Sequence, residues 1–96
     1  MTPSQALNAH RADVRRLVLD HRAANPRIFG SVLRGEDTAN SDLDLLVDPT
    51  PDTTLLDLAA LQIALEKLLG VTVDVLTPRS LPEAFRQSIL VQAQSV

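Results

Sequence analysis

The decisive stretch is Gly30-Ser31 followed, after ten intervening residues, by Ser41-Asp42-Leu43-Asp44-Leu45-Leu46-Val47. A glycine turn precedes two carboxylates that open an apolar run. Side chains of a strand alternate faces, so Asp42 and Asp44 share one face with α-carbons about 6.5–7 Å apart. Two carboxylates that close repel unless a cation lies between them or one is protonated. A hard divalent ion such as Mg²⁺ answers this, because it takes oxygen ligands and keeps waters that substrate phosphates replace. The turn offers the complementary function: a residue without a side chain lets backbone N–H groups approach a phosphate, and the Ser31 hydroxyl adds a donor.

Arg27-Ile28-Phe29, bounded by Pro26 and Gly30, reads as the strand before this turn, and Asp42 to Val47 as the second strand. Upstream, Thr2-Pro3-Ser4-Gln5 carries a capping box with proline at the first helical position. Leu7, Val14, Leu17 and Val18 continue that helix until Asn25-Pro26 ends it. Its two histidines, His10 and His21, stand about 16 Å apart along the axis and cannot share one ion. Downstream, Asp52-Thr53-Thr54 caps a helix with apolar residues on more than one face, expected to be the most buried, and Gly70 stops it. Val71-Thr72-Val73-Asp74-Val75-Leu76 alternates as a third strand. Ser80-Leu81-Pro82-Glu83 then caps a last helix containing Phe85, Ile89 and Leu90.

Asp74 sits mid-strand among valines, where an unpaired charge is expensive. If the third strand lies beside the second, Asp42, Asp44 and Asp74 converge on one patch able to hold one or two metal ions. The plainer reading has Asp42 capping the strand, Asp44 facing water and Asp74 pairing with an arginine; it is the better account of any one aspartate, but not of all three beside a glycine turn. Arg34 is the nearest cation, open to a phosphate contact or to a salt bridge. Other sites fail on their own chemistry. Gly30 and Gly35 have P-loop spacing, but Glu36-Asp37 stand where Lys and Ser/Thr are required. Asn40, Asp42 and Asp44 imitate a calcium loop, but Leu45 replaces its glycine and Pro51 its final glutamate. Ser31 lacks the Gly-x-Ser-x-Gly elbow of a nucleophile.

The chain of 96 residues reads as one domain, 1–96, with a core of Leu, Val, Ile and Ala, since Phe29 and Phe85 are its only aromatic residues. This composition suits an α/β fold of helices packed on a small sheet of three strands. A net charge of −3 with scattered basic residues argues against a nucleic-acid surface. No cysteine, no basic region leading into an apolar run at the N-terminus and no membrane-length segment together fit a soluble, cytoplasmic protein.

Ile28-Phe29-Gly30-Ser31-Val32-Leu33-Arg34-Gly35-Glu36, the Asp42-Leu43-Asp44 pair and Val73-Asp74-Val75 resemble the nucleotidyltransferase superfamily of DNA polymerase β and kanamycin nucleotidyltransferase. They are similar in particular to its minimal members, the MntA-like antitoxins encoded beside HEPN-domain toxins. The resemblance runs over nearly the whole chain. It implies a mixed sheet flanked by helices, Asp42 and Asp44 as Mg²⁺ ligands, and Asp74 as the third carboxylate that completes the metal site and helps activate the attacking hydroxyl. Gly30 and Ser31 match the positions that hold the triphosphate. Leu33 departs from the family, where alanine is commoner. The implied activity is transfer of AMP from ATP to a hydroxyl of a HEPN-type toxin. The alternative is an interaction module that neutralises its partner by covering it.

Overall fold

The computed structural model describes residues 1–96. Five helices, α1 (Pro3–Ala9), α2 (Arg11–Asp20), α3 (Ser31–Arg34), α4 (Leu55–Leu69) and α5 (Glu83–Gln92), alternate with strands β1 (Ala23–Phe29), β2 (Leu43–Pro49), β3 (Val73–Leu76) and β4 (Gln94–Ser95). The sheet order is β3-β2-β1-β4. β2 and β3 are parallel, whereas β1 runs antiparallel to both β2 and β4. The expected mixed sheet is therefore present with a fourth strand, too short at two residues to stand out by periodicity.

The first predicted helix is two. Thr2 and Gln5 form the expected capping box of α1, but the chain breaks at His10 (φ −134°, ψ 24°) and restarts as α2. Asn25-Pro26 does not end the helix; both residues lie inside β1, which begins at Ala23 rather than Arg27. The strand tolerates proline because its pairing with β2 shifts register between Ala24 and Arg27, so the missing N–H falls at a bulge. Asn25 takes a positive φ of 53° there, and its side-chain amide donates to Asp48 at 2.9 Å.

β2 separates two apolar layers. Leu43, Leu45 and Val47 point, with Ile28 and Val73, into the main core beneath α1, α2 and α4. Leu46 faces the other way, into a small cluster with Phe29 and Leu81 that α5 only partly covers. Strand alternation puts Asp44 on this second face, and the thin cover leaves it half-buried.

α4 is not buried all round. Leu61, Leu65 and Leu69 enter the core, but Leu55 is 86% and Leu56 82% exposed, because the helix packs on only one sheet face. Its polar residues reach the open edge of β3, where Glu66 accepts from the Val73 N–H at 3.1 Å and Gln62 from the Val75 N–H at 3.4 Å. An edge strand that would otherwise expose unpaired donors is thereby satisfied. Ser80 does not cap α5; its hydroxyl accepts from the Thr77 N–H at 2.8 Å and closes a single 3-10 turn over Pro78–Ser80. Arg86 instead holds α5 to that turn, donating to the carbonyls of Pro78, Arg79 and Leu81 at 2.9–3.3 Å. No helix is long and apolar enough to cross a membrane.

Candidate nucleotide and metal site

β1 ends at Phe29, and Gly30 turns the chain into α3 with φ +74° and ψ −148°, a conformation open essentially only to glycine. The turn closes directly onto the next strand: a Cβ added at Gly30 would stand 3.2 Å from Asp44 Cγ, and nearer still to Oδ2. Asp44 is opposite Phe29 on β1 and opposite Asp74 on β3. A single row across three strands thus reads Phe29, Asp44, Asp74. Asp42 directly precedes β2 on the same side by alternation.

The crossover through α4 is what brings Asp74 beside Asp44, since parallel neighbours require such a connection. Asp44 feels the other two carboxylates. Asp44 is held above its ordinary value of 3.8, first by burial, then by the charge of Asp74 and then by that of Asp42, with Arg34 opposing. Asp42 and Asp74 are themselves exposed. The expected convergence is partial, however: no three acidic or histidine side chains come close enough to enclose a cation unaided.

That donor set nevertheless fits Mg²⁺ chemically. It consists of hard carboxylate oxygens with uncompensated charge on an open face, and Mg²⁺ is commonly bound by one or two carboxylates, with waters and substrate phosphates completing its shell.

Arg34, at the end of α3, is exposed and pairs with Glu36 through Nε at 3.0 Å. Asp37 turns away from the site, accepting from the Ser4 N–H at 2.8 Å and the Ser4 hydroxyl at 2.5 Å. These bonds pin the loop of residues 35–41 to α1 and hold the Asp37 carboxyl below its usual range. A depressed pKa stabilises the fold above the ordinary value of 3.8, and this contribution fades as pH falls through the folded-state value. Asp37→Ala is therefore expected to cost about 1 kcal/mol at neutral pH, since the group is only partly buried. Paired thermal melts at pH 7 and pH 3 check this, with the difference shrinking at the lower pH.

The histidines play no part. His21 Nδ1 bonds the Leu17 carbonyl at 2.7 Å, and His10 faces Asp13 at 3.4 Å.

A groove of about 310 Å³ adjoins Gly30, between α3 and α5. Its α5 wall was not recognisable in the sequence. Phe85, on the expected last helix, is 63% exposed and lines this groove with Ser88 and Gln92. An apolar stripe at helical spacing looks the same whether it meets a core or an open cleft. A larger depression of about 440 Å³ lies under Ala39–Ser41 against Gly70–Thr72, on none of the three aspartates.

A mixed sheet carrying a glycine-serine turn against the first of two neighbouring strands with aligned aspartates defines the class of nucleotidyl-transferring proteins. Comparison with known families agrees: residues 7–95 match the nucleotidyltransferase domain, and the chain belongs to that family of enzymes. It is 40% identical over 80 residues to a candidate protein adenylyltransferase of Methanocaldococcus jannaschii, covering 83% of this chain and 86% of that one. Among solved structures, a candidate minimal nucleotidyltransferase superposes with a TM-score of 0.83 at 44% identity, over 97% of this chain and 93% of the other. A toxin–antitoxin structure with AMP-PNP shares the fold, with a TM-score of 0.73 at 23% identity, over 88% of this chain and 69% of that one.

Proposed function

We propose that residues 1–96 form one minimal nucleotidyltransferase domain acting as an antitoxin, which transfers AMP from ATP to a hydroxyl of a partner HEPN-type toxin in the cytoplasm. The observation that carries this reading is the row in which Gly30 backs onto Asp44 while Asp74 stands beside it and Asp42 precedes it. The naming of a relative as a protein adenylyltransferase supports the protein acceptor, and the AMP-PNP in a toxin–antitoxin structure of this fold supports the donor and the kind of partner.

In this reading Asp42 and Asp44 would hold Mg²⁺, with Asp74 completing the set. When bound there, such an ion would supply charge neutralisation on the α-phosphate and the leaving pyrophosphate. Gly30 lets the turn approach the triphosphate, and the Ser31 hydroxyl donates to it. Arg34 exchanges Glu36 for a phosphate oxygen. Asp74, exposed at the strand edge, takes the proton of the acceptor hydroxyl. The acceptor oxygen bonds to the α-phosphorus, the bond to the β-phosphate bridging oxygen breaks, and pyrophosphate leaves with the electron pair.

Incubation with α-labelled ATP, Mg²⁺ and the partner tests this. Label is expected on the partner with wild type, and none with EDTA or with Asp42→Ala. Equal labelling by wild type and Asp42→Ala overturns the site. Full neutralisation by Asp42→Ala without labelling would instead make the domain a covering module.

A further inference from the structure

Nothing in the carboxylate row recognises a base. The groove between α3 and α5 begins at the same glycine, with Phe29, Gly30 and Leu33 on one wall and Phe85, Ser88 and Gln92 on the other. Phe29 and Phe85 are the only Phe, Tyr or Trp residues of the chain, and both line it. Phe29 is buried, whereas Phe85 leaves 63% of its surface open. An exposed ring beside an open cleft gains by being covered with another flat apolar surface.

We propose, resting on the nucleotidyltransferase reading above, that this groove seats the adenine of the donor nucleotide, with Phe85 stacking on its face and Gln92 reading its edge. The volume of about 310 Å³ lies at the lower end of the range for small-molecule sites. Two phenyl rings and Leu33 make a poor seat for a hydrated polyphosphate.

Gln92 lies one α-helical turn beyond Ser88, whose hydroxyl accepts from its amide at 3.3 Å. That contact orients an amide that still has a carbonyl and a second N–H to offer. Adenine presents an N7 acceptor beside an N6 donor, which a glutamine amide matches with two bonds. Guanine presents two acceptors there and would face the glutamine carbonyl with its own. The structure thus assigns Phe85 to affinity and Gln92 to the choice of adenine over guanine.

The test titrates the full chain with Mg-ATP, Mg-GTP and Mg-tripolyphosphate, and needs no partner. Phe85→Ala is expected to weaken ATP about tenfold and leave tripolyphosphate unchanged, while Phe85→Trp restores ATP. Gln92→Ala is expected to shrink the preference for ATP over GTP by about tenfold. Phe85 is exposed, so the variant should keep its fold, and a thermal melt verifies this. Equal weakening of ATP and tripolyphosphate by Phe85→Ala would put the phosphate tail in the groove and overturn the proposal, as would unchanged ATP binding in both alanine variants. If these binding results hold while no label reaches a partner, the base site stands and the transferase reading falls. If label is transferred while ATP binding ignores Phe85 and Gln92, the reverse follows.

Discussion

Asp44→Asn is expected to lower nucleotidyl transfer by about a hundredfold or more while making the metal-free protein more stable. Both effects arise from the same atoms. The asparagine amide is nearly isosteric with the carboxylate, so the packing of Gly30 against it survives. What disappears is a charge that is half-buried and repelled by Asp74 and Asp42.

The sign of the stability change follows from the direction of the pKa. A carboxyl raised above 3.8 binds its proton more tightly in the folded chain than in the unfolded one. The contribution of Asp44 to stability is therefore most favourable in acid, falls as pH rises through the interval between 3.8 and the raised value, and stays at the lower level above it. Asparagine suffers no such loss. In EDTA the variant should melt higher than wild type at pH 8, and the gap should close toward pH 3. For a chain of this size about 1 kcal/mol corresponds to roughly 4–8 °C in Tm.

Mg²⁺ should then raise the Tm of wild type, because it binds only the folded site, and leave Asp44→Asn where it was. Calorimetry at the two pH values, with and without Mg²⁺, measures all of this. A variant less stable than wild type at pH 8 in EDTA would show that Asp44 is held by attraction rather than repulsion, and the metal reading would lose its driving force.

The residues of this row were legible in the sequence because their spacing is local. Gly30-Ser31 ends one strand and Asp42-Leu43-Asp44 begins the next, so both fall on neighbouring elements whatever the topology. Asp74 was legible as an oddity, a charge among valines, but its position was not. Only the parallel pairing that aligns Asp44 with Asp74 makes it a neighbour, and that is decided by α4 crossing the opposite sheet face. Pro26 misled because a bulge that excuses a missing N–H depends on the partner strand. The break at His10 misled because the apolar positions keep helical spacing on both sides of it. Leu55 and Leu56 look like core residues in sequence, yet the sheet has too little area to cover them. Composition counts apolar residues, and the sheet determines how many are buried.

Gly30→Ala carries the second large effect, and it distinguishes a glycine that merely turns the chain from one that positions the chemistry. Two costs combine at Gly30. Its φ of +74° with ψ −148° strains any side chain, at about 1–3 kcal/mol. The added methyl also lands on the Asp44 carboxylate, 3.2 Å from Cγ. The clash is relieved only if Asp44 swings or the turn shifts, and displacement of a reacting group by about 1 Å costs on the order of a hundredfold in rate. The expected result is a loss of about 2–4 kcal/mol in stability and of about a hundredfold in transfer.

Gly35, at the other end of α3, supplies the control. Its φ is also positive, +69°, but nothing lies within 4 Å of an added Cβ. Gly35→Ala should therefore lose only about 1 kcal/mol and keep its transfer rate. Denaturant melts and initial rates on the two variants separate strain from collision. If Gly30→Ala keeps its rate after losing stability, the close packing of turn on carboxylate is structural only, and Asp44 works without it.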